Sequence, residues 1–171
     1  FSGGETSAFM AQWIWRHKRD EYDIYFVFAN TGEENEETLR FVQRCSNHFG
    51  FHVTWVEANV FLGERKGTGF KEVDYYTASR NGEPFEQVIK KYGIPNIKTP
   101  HCSRELKERP ISAYIKYMEW DDRLLAIGIR NDEIDRQNKD KDKLKIIYPL
   151  IYMKPMTKQA INFYWQNMPF R

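Results

Sequence analysis

Ser2-Gly3-Gly4-Glu5-Thr6-Ser7 opens the chain, directly ahead of Phe9, Met10, Trp13 and Ile14 at helical spacing. Two adjacent glycines let backbone N–H groups turn toward an anion with no Cβ in the way. The helix predicted from Thr6 to His17 adds its unsatisfied first-turn N–H groups and the positive end of its dipole. Ser2, Thr6 and Ser7 supply hydroxyl donors. The plain alternative, for this string in isolation, is a glycine turn that only caps a helix. No GxxxxGK[ST] pattern is present, so this is not a Walker A loop. A phosphate loop of this kind ordinarily follows a β-strand, and residues upstream of Phe1 are expected to supply it.

Downstream, the pattern alternates. Asp23 to Ala29 is a short continuous apolar run suited to a buried parallel strand. Glu36 to Phe49 reads as a helix with Leu39, Phe41, Val42 and Cys45 on its apolar face, and His52 to Val56 as a second strand. Helix–strand–helix–strand is the order expected of a parallel sheet covered by helices. Gly63, Gly67 and Gly69 then break the pattern, so residues 61–81 are expected to be an irregular insertion or lid. Pro84 to Tyr92 and Ser103 to Met118 read as helices, the second interrupted near Pro110. Arg123 to Ile129 reads as a buried strand, Ile146 to Leu150 as a short strand, and Thr157 to Gln166 as a last helix capped by Thr157.

Composition narrows the classes. At 171 residues with 41% apolar content, one domain spanning 1–171 with a single core is expected. The 26 basic and 24 acidic residues nearly cancel, which disfavours a nucleic-acid-backbone binder. Cys45 and Cys102 lie far apart with no zinc spacing, and two thiols are too few for most iron–sulfur clusters. Neither a signal peptide nor an 18-residue apolar run occurs, so a cytoplasmic protein without a membrane span is expected.

Three further stretches follow predicted strands or open helices. Asn30-Thr31-Gly32-Glu33-Glu34 ends the first clear strand, where ligands of open α/β sheets bind. Gly128-Ile129-Arg130-Asn131-Asp132-Glu133 follows another, and Arg130 and Arg136 are candidate clamps for phosphate or sulfate oxygens. A surface salt-bridge network is the competing reading. Pro100-His101-Cys102-Ser103-Arg104 precedes a helix whose dipole lowers a thiol pKa, although a buried structural cysteine is the commoner outcome.

Together these stretches resemble the phosphoadenosine phosphosulfate (PAPS) reductase family of the PP-loop superfamily, and phage-encoded and bacterial members most. The Ser-Gly-Gly-x-x-Ser loop, Asn30-Thr31-Gly32-Glu33, Cys102-x-x-x-Leu106-Lys107-x-x-Pro110 and Gly128-Ile129-Arg130-x-x-Glu133 occur in the family's order. The resemblance implies a Rossmann-like adenine nucleotide α-hydrolase fold, a parallel sheet between helices. It implies that Ser2, Gly3, Gly4, Thr6 and Ser7 hold phosphates and that Thr31, Gly32 and Glu33 border the nucleotide. Lys107, Gly128, Arg130 and Arg136 would meet phosphate, sulfate or a leaving pyrophosphate. The implied ligand is an adenine nucleotide, PAPS or ATP, the latter with Mg²⁺, and no iron–sulfur cluster. If the chain is a reductase, a thiol donor such as thioredoxin follows, and self-association fits as well. In a phage, the compartment would be the host cytoplasm. Reductases of the family carry a catalytic cysteine in a Glu-Cys-Gly-Leu-His-like tail, whereas this sequence closes on Met168-Pro169-Phe170-Arg171. Cys102 is therefore the one candidate nucleophile, and a non-catalytic nucleotide-binding or sequestering module is the alternative function.

Overall fold

The computed structural model describes residues 1–96 and 101–171. In chain order the elements are α1 (Glu5–Lys18), β1 (Phe26–Asn30), α2 (Glu36–Phe49), β2 (Val53–Asn59), β3 (Gly69–Val73) and α3 (Glu83–Tyr92). There follow α4 (His101–Ser103), a π turn (Arg104–Glu108), α5 (Arg109–Tyr117), β4 (Leu125–Ala126), a 3-10 turn (Asn131–Arg136), β5 (Ile146–Ile147), α6 (Pro149–Tyr152) and α7 (Lys158–Gln166). Pro100 lies outside the described residues. The chain divides into two compact units: residues 1–24, 44–51 and 122–171 form the first, and residues 25–43 and 52–121 the second.

In the second unit, β1 and β2 pair in parallel, as expected of two apolar runs joined by a helix. Strand β3 adds antiparallel to β2, with Glu57 opposite Lys71 and Trp55 opposite Val73. It lies inside the 61–81 stretch expected to be irregular. Its Phe70-Lys71-Glu72-Val73, with two adjacent exposed charges between half-buried apolar residues, is an edge strand without the period-two alternation that marks a strand in sequence. Helix α5 packs across all three strands. One sheet face gives Ala29 and Val56 to a cluster with Tyr114, Phe70, Ile111 and Trp120. A second cluster joins Ala58, Val60, Val88 and Leu106. Residues two apart face the same way along a strand, so the opposite face receives Phe28 and Trp55, whose rings meet edge-to-face at 4.8 Å.

The polar row Asn30, Glu57 and Lys71 lies across the three strands, each residue a register partner of the next. Glu57 is completely buried. Its Oε1 accepts from Asn30 Nδ2 at 2.7 Å and from the Ser79 backbone N–H at 2.6 Å, and Lys71 Nζ stands 3.0 Å from Oε2. Asn30 Nδ2 also donates to the Ser79 carbonyl at 2.9 Å. The backbone of Ser79 is thus held at both its N–H and its C=O.

In the first unit, α1 is buried without a break from Ser7 to Gln12. Its contact with α7 pairs Phe9 and Tyr164 edge-to-face at 4.8 Å, and the Trp165 indole N–H donates to the Glu5 carbonyl at 3.0 Å. Thr157 caps α7 as expected, accepting from the Ala160 N–H at 3.3 Å. The stretch Arg123 to Ile129, expected as a buried strand, is corrected: only Leu125 and Ala126 pair, with Ile146 and Ile147, and Leu124 and Leu125 are exposed. The apolar content serves a local cluster instead, in which Ile127 and Ile129 pack against Ile146, Tyr148 and Ile151. Beyond Ile147 the expected strand gives way to α6, which Pro149 starts from its first position.

Replacing Glu57 by Gln tests the polar row. An amide has one acceptor oxygen and turns an NH₂ toward either the Ser79 N–H or the Lys71 ammonium. The expected loss is about 1–3 kcal/mol of stability in urea unfolding. An unchanged midpoint would show that the charge at this position is dispensable.

Candidate functional site

The glycine loop begins with Gly3 at φ 77°, a backbone conformation that glycine adopts without strain. Gly4 follows in extended conformation as N-cap of α1 and offers no capping side chain. The first-turn N–H groups are therefore left for water or a ligand. Ser7 stitches the loop together: its hydroxyl donates to the Gly4 carbonyl at 2.8 Å and accepts from the Ser2 N–H at 3.2 Å and the Ser2 hydroxyl at 3.0 Å. Thr6 Oγ1 accepts from Arg130 Nη1 at 3.3 Å. A Cβ on Gly128 would stand 3.4 Å from Ser7 Cα, so this glycine allows the segment leading to Arg130 to run close against α1. Ser2, Gly3, Gly4, Thr6, Ser7, Gly128 and Arg130 are thus brought together. Arg136 instead projects outward in an ion pair with Glu133.

The remaining candidates lie in the second unit. Thr31, Glu33, Glu34, Phe85, Cys102, Ser103, Leu106 and Lys107 line a cleft of about 520 Å³. Four of them, Thr31, Glu33, Cys102 and Lys107, were legible as candidates. Glu34 was not singled out, yet it organises the cleft: its Oε1 accepts from Thr31 Oγ1 at 3.1 Å and lies 3.0 Å from Lys107 Nζ. Lys107 therefore enters the cleft already paired to a carboxylate. Phe85 and Leu106 provide apolar wall. Leu106 stands in the motif that also carries Lys107, whereas the signal of Phe85 was hidden because apolar residues on short helices read as core.

Gly32 adopts φ +81°, and a Cβ there would stand 2.7 Å from Pro84 Cδ. The Gly82 N–H donates to the Gly32 carbonyl at 2.9 Å, so the turn is tied to the residue just ahead of α3. The helical run that carries Cys102 and Lys107 passes through the π turn, where the Arg109 N–H bonds to the Arg104 carbonyl. Glu105 braces this turn from within: it accepts from Thr68 Oγ1 at 2.5 Å and from Arg104 Nε at 2.8 Å. Burial works to raise the Glu105 carboxyl pKa, but these hydrogen bonds and the Arg104 charge outweigh it and hold the group below its ordinary value.

The two thiols differ. Burial pushes Cys45 up to about 12, so it carries no thiolate at neutral pH. Cys102 is half-buried on the cleft wall. Among the described residues, no group of three or more His, Cys, Asp or Glu is placed to hold a metal ion. No helix of the described residues is long and apolar enough to cross a membrane.

A parallel strand pair joined by a helix and covered by others makes this a Rossmann-like α/β protein. The phosphoadenosine phosphosulfate reductase domain matches residues 1–148, and the chain belongs to that family. It is 32% identical over 180 aligned residues to the uncharacterized nin region protein ORF290 of Escherichia phage lambda, covering 99% of this chain and 59% of that protein. It is 29% identical to the uncharacterized protein MJ0066 of Methanocaldococcus jannaschii, covering 98% of this chain and 29% of that one. The chain thus spans less than two thirds of the length of either relative.

Two outcomes are expected. Gly32→Ala is destabilised by about 1–3 kcal/mol in thermal unfolding, because a side chain there is both strained and blocked; an unaltered midpoint would contradict the turn geometry. Iodoacetamide at pH 8 labels Cys102 alone in the folded protein, and Cys45 only after denaturation, read by peptide mass. Equal labelling of both thiols would show that Cys45 is not sealed.

Proposed function

We propose that the chain binds an adenine nucleotide, PAPS or ATP, and acts at its phosphosulfate or its α-phosphate. The observation that carries this reading is the loop Ser2–Ser7, with its uncapped helix N-terminus and with Arg130 fixed to Thr6. Phosphate oxygens accept from the first-turn N–H groups and from the guanidinium, while the helix dipole favours the negative charge. The same donors stabilise charge that develops on a leaving group. In the ATP mode, a substrate oxygen attacks the α-phosphate and pyrophosphate leaves; Mg²⁺ arriving with the nucleotide would supply charge neutralisation there. In the PAPS mode, a thiolate attacks the sulfur and breaks its bond to the phosphate oxygen, so that adenosine 3′,5′-bisphosphate leaves and the thiol carries the sulfonate. A dithiol donor of the thioredoxin type then displaces sulfite and is itself oxidised to the disulfide. Lys107 and the Thr31–Glu33 turn belong to the proposal through the family motifs they occupy, and Arg136 through its place at the end of the Gly128–Arg136 stretch, three residues after Glu133.

Calorimetric titration with ATP and Mg²⁺, PAPS and AMP tests the reading. The unmodified chain is expected to bind at least one of the first two. Gly3→Val is expected to abolish that binding while the chain stays folded, because valine cannot follow the glycine backbone at positive φ. Arg130→Ala is expected to weaken ATP or PAPS more than AMP. Unchanged affinity in Gly3→Val would remove the loop from the site. Binding without release of pyrophosphate or sulfite would assign a nucleotide-binding module rather than an enzyme.

A further inference from the structure

Arg130 is restrained on three sides. Its Nε–H donates to Asp132 Oδ1 at 3.0 Å, Nη2 meets Glu133 Oε2 at 3.1 Å, and Nη1 donates to Thr6 Oγ1 at 3.3 Å. Its side chain is 17% exposed. Asp132 is anchored in turn, since its Oδ2 accepts from the Lys158 N–H that opens α7, at 3.2 Å. The neighbouring Asn131 N–H donates to the Met156 carbonyl at 2.9 Å. Glu133 is shared between Arg130 and Arg136.

A guanidinium carries five N–H donors, one on Nε and two on each terminal nitrogen. Asp132 and Thr6 take one hydrogen bond each, from Nε and Nη1, while Nη2 is held beside Glu133 as an ion pair. Asp132 closes the Nε edge, and Nη1 and Nη2 each retain at least one N–H. That leaves a two-pronged fork of the kind that grips a single tetrahedral oxyanion. Asp132 and Glu133 also cancel the charges of Arg130 and Arg136, so the turn attracts anions weakly at long range and must recognise them by orientation. We infer that Asp132 and Glu133 are positioning residues, which lock the Arg130 guanidinium so that its two terminal N–H groups meet one terminal oxyanion of the ligand, a sulfate or a distal phosphate. The inference rests on the nucleotide reading above.

Titration of the full chain with ATP, PAPS and AMP is the test, using Asp132→Ala, Asp132→Asn, Arg130→Ala and the double variant Arg130→Ala/Asp132→Ala. Asp132→Ala is expected to lose about tenfold in affinity for ATP or PAPS and little for AMP. Asn retains an acceptor for Nε, so Asp132→Asn is expected to keep most of the affinity. In the Arg130→Ala background, removing Asp132 is expected to add nothing, because its effect passes through the arginine. A rise in affinity for Asp132→Ala would show a carboxylate that merely repels the anion. Equal losses for all three ligands, or a further loss in the double variant, would equally overturn the positioning role. An unmodified chain that binds none of the three sinks the nucleotide reading itself. A chain that binds but fails these comparisons sinks this inference alone.

Discussion

A carboxylate with no exposure to water must be compensated in place, and Glu57 imposes that constraint on its whole unit. Its two hydrogen-bond donors and its counter-charge come from three different segments: Asn30 on β1, the backbone of Ser79, and the Lys71 ammonium on β3. Each must be present for the charge to be tolerated, so the antiparallel edge strand and the segment ahead of α3 are tied to the end of β1. The next residues after Asn30 are Thr31, Gly32 and Glu33. The geometry of that turn, and with it one wall of the cleft, is thus inherited from a buried charge that does not line the cleft. Breaking one arm of such a group is far costlier than its net worth suggests, because a charge is left behind without a partner.

Much of this architecture could be read from residue order. α2 runs over the residues expected of it, and α1 and α7 fall within a residue of their expected bounds, because apolar periodicity and the Thr157 cap are local signals. The parallel pairing of β1 with β2 followed from the alternation of elements. Strand β3 was missed because its edge position lets it carry Lys71 and Glu72 between glycines, which resembles a loop. The segment around Leu124 and Leu125 was over-read, since apolar residues in a row do not reveal whether a partner covers them. Among the candidate residues, the glycine loop and Arg130 were legible from their types. The roles of Glu34, Asp132 and Glu133 were not, because a carboxylate that serves a neighbouring cation looks the same in sequence as one that faces solvent.

The two groups of candidate residues handle charge in a shared manner. Lys107 is held by Glu34, and Arg130 by Asp132 and Glu133. Neither cation is left as a free point charge, which would bind any anion within a Debye length. Fixing a cation with carboxylates gives up attraction and gains direction. The Glu5 carboxylate, in the first turn of α1, is likewise matched by Arg171.

The π turn between Arg104 and Glu108 has a consequence for the phase of the helix that contains it. A hydrogen bond that spans five residues instead of four takes up one more residue than an α-helical turn does. Successive residues of an α-helix are about 100° apart, so every side chain beyond the turn is rotated by roughly that amount relative to an uninterrupted helix. Pro110 and Tyr114 reach the buried side of α5 only in the shifted phase. Loss of one residue from this turn would leave Cys102 and Ser103 where they are while swinging the apolar stripe of α5 off the sheet. Length in this segment is therefore constrained more tightly than identity, and related chains that vary here should vary by substitution and not by deletion.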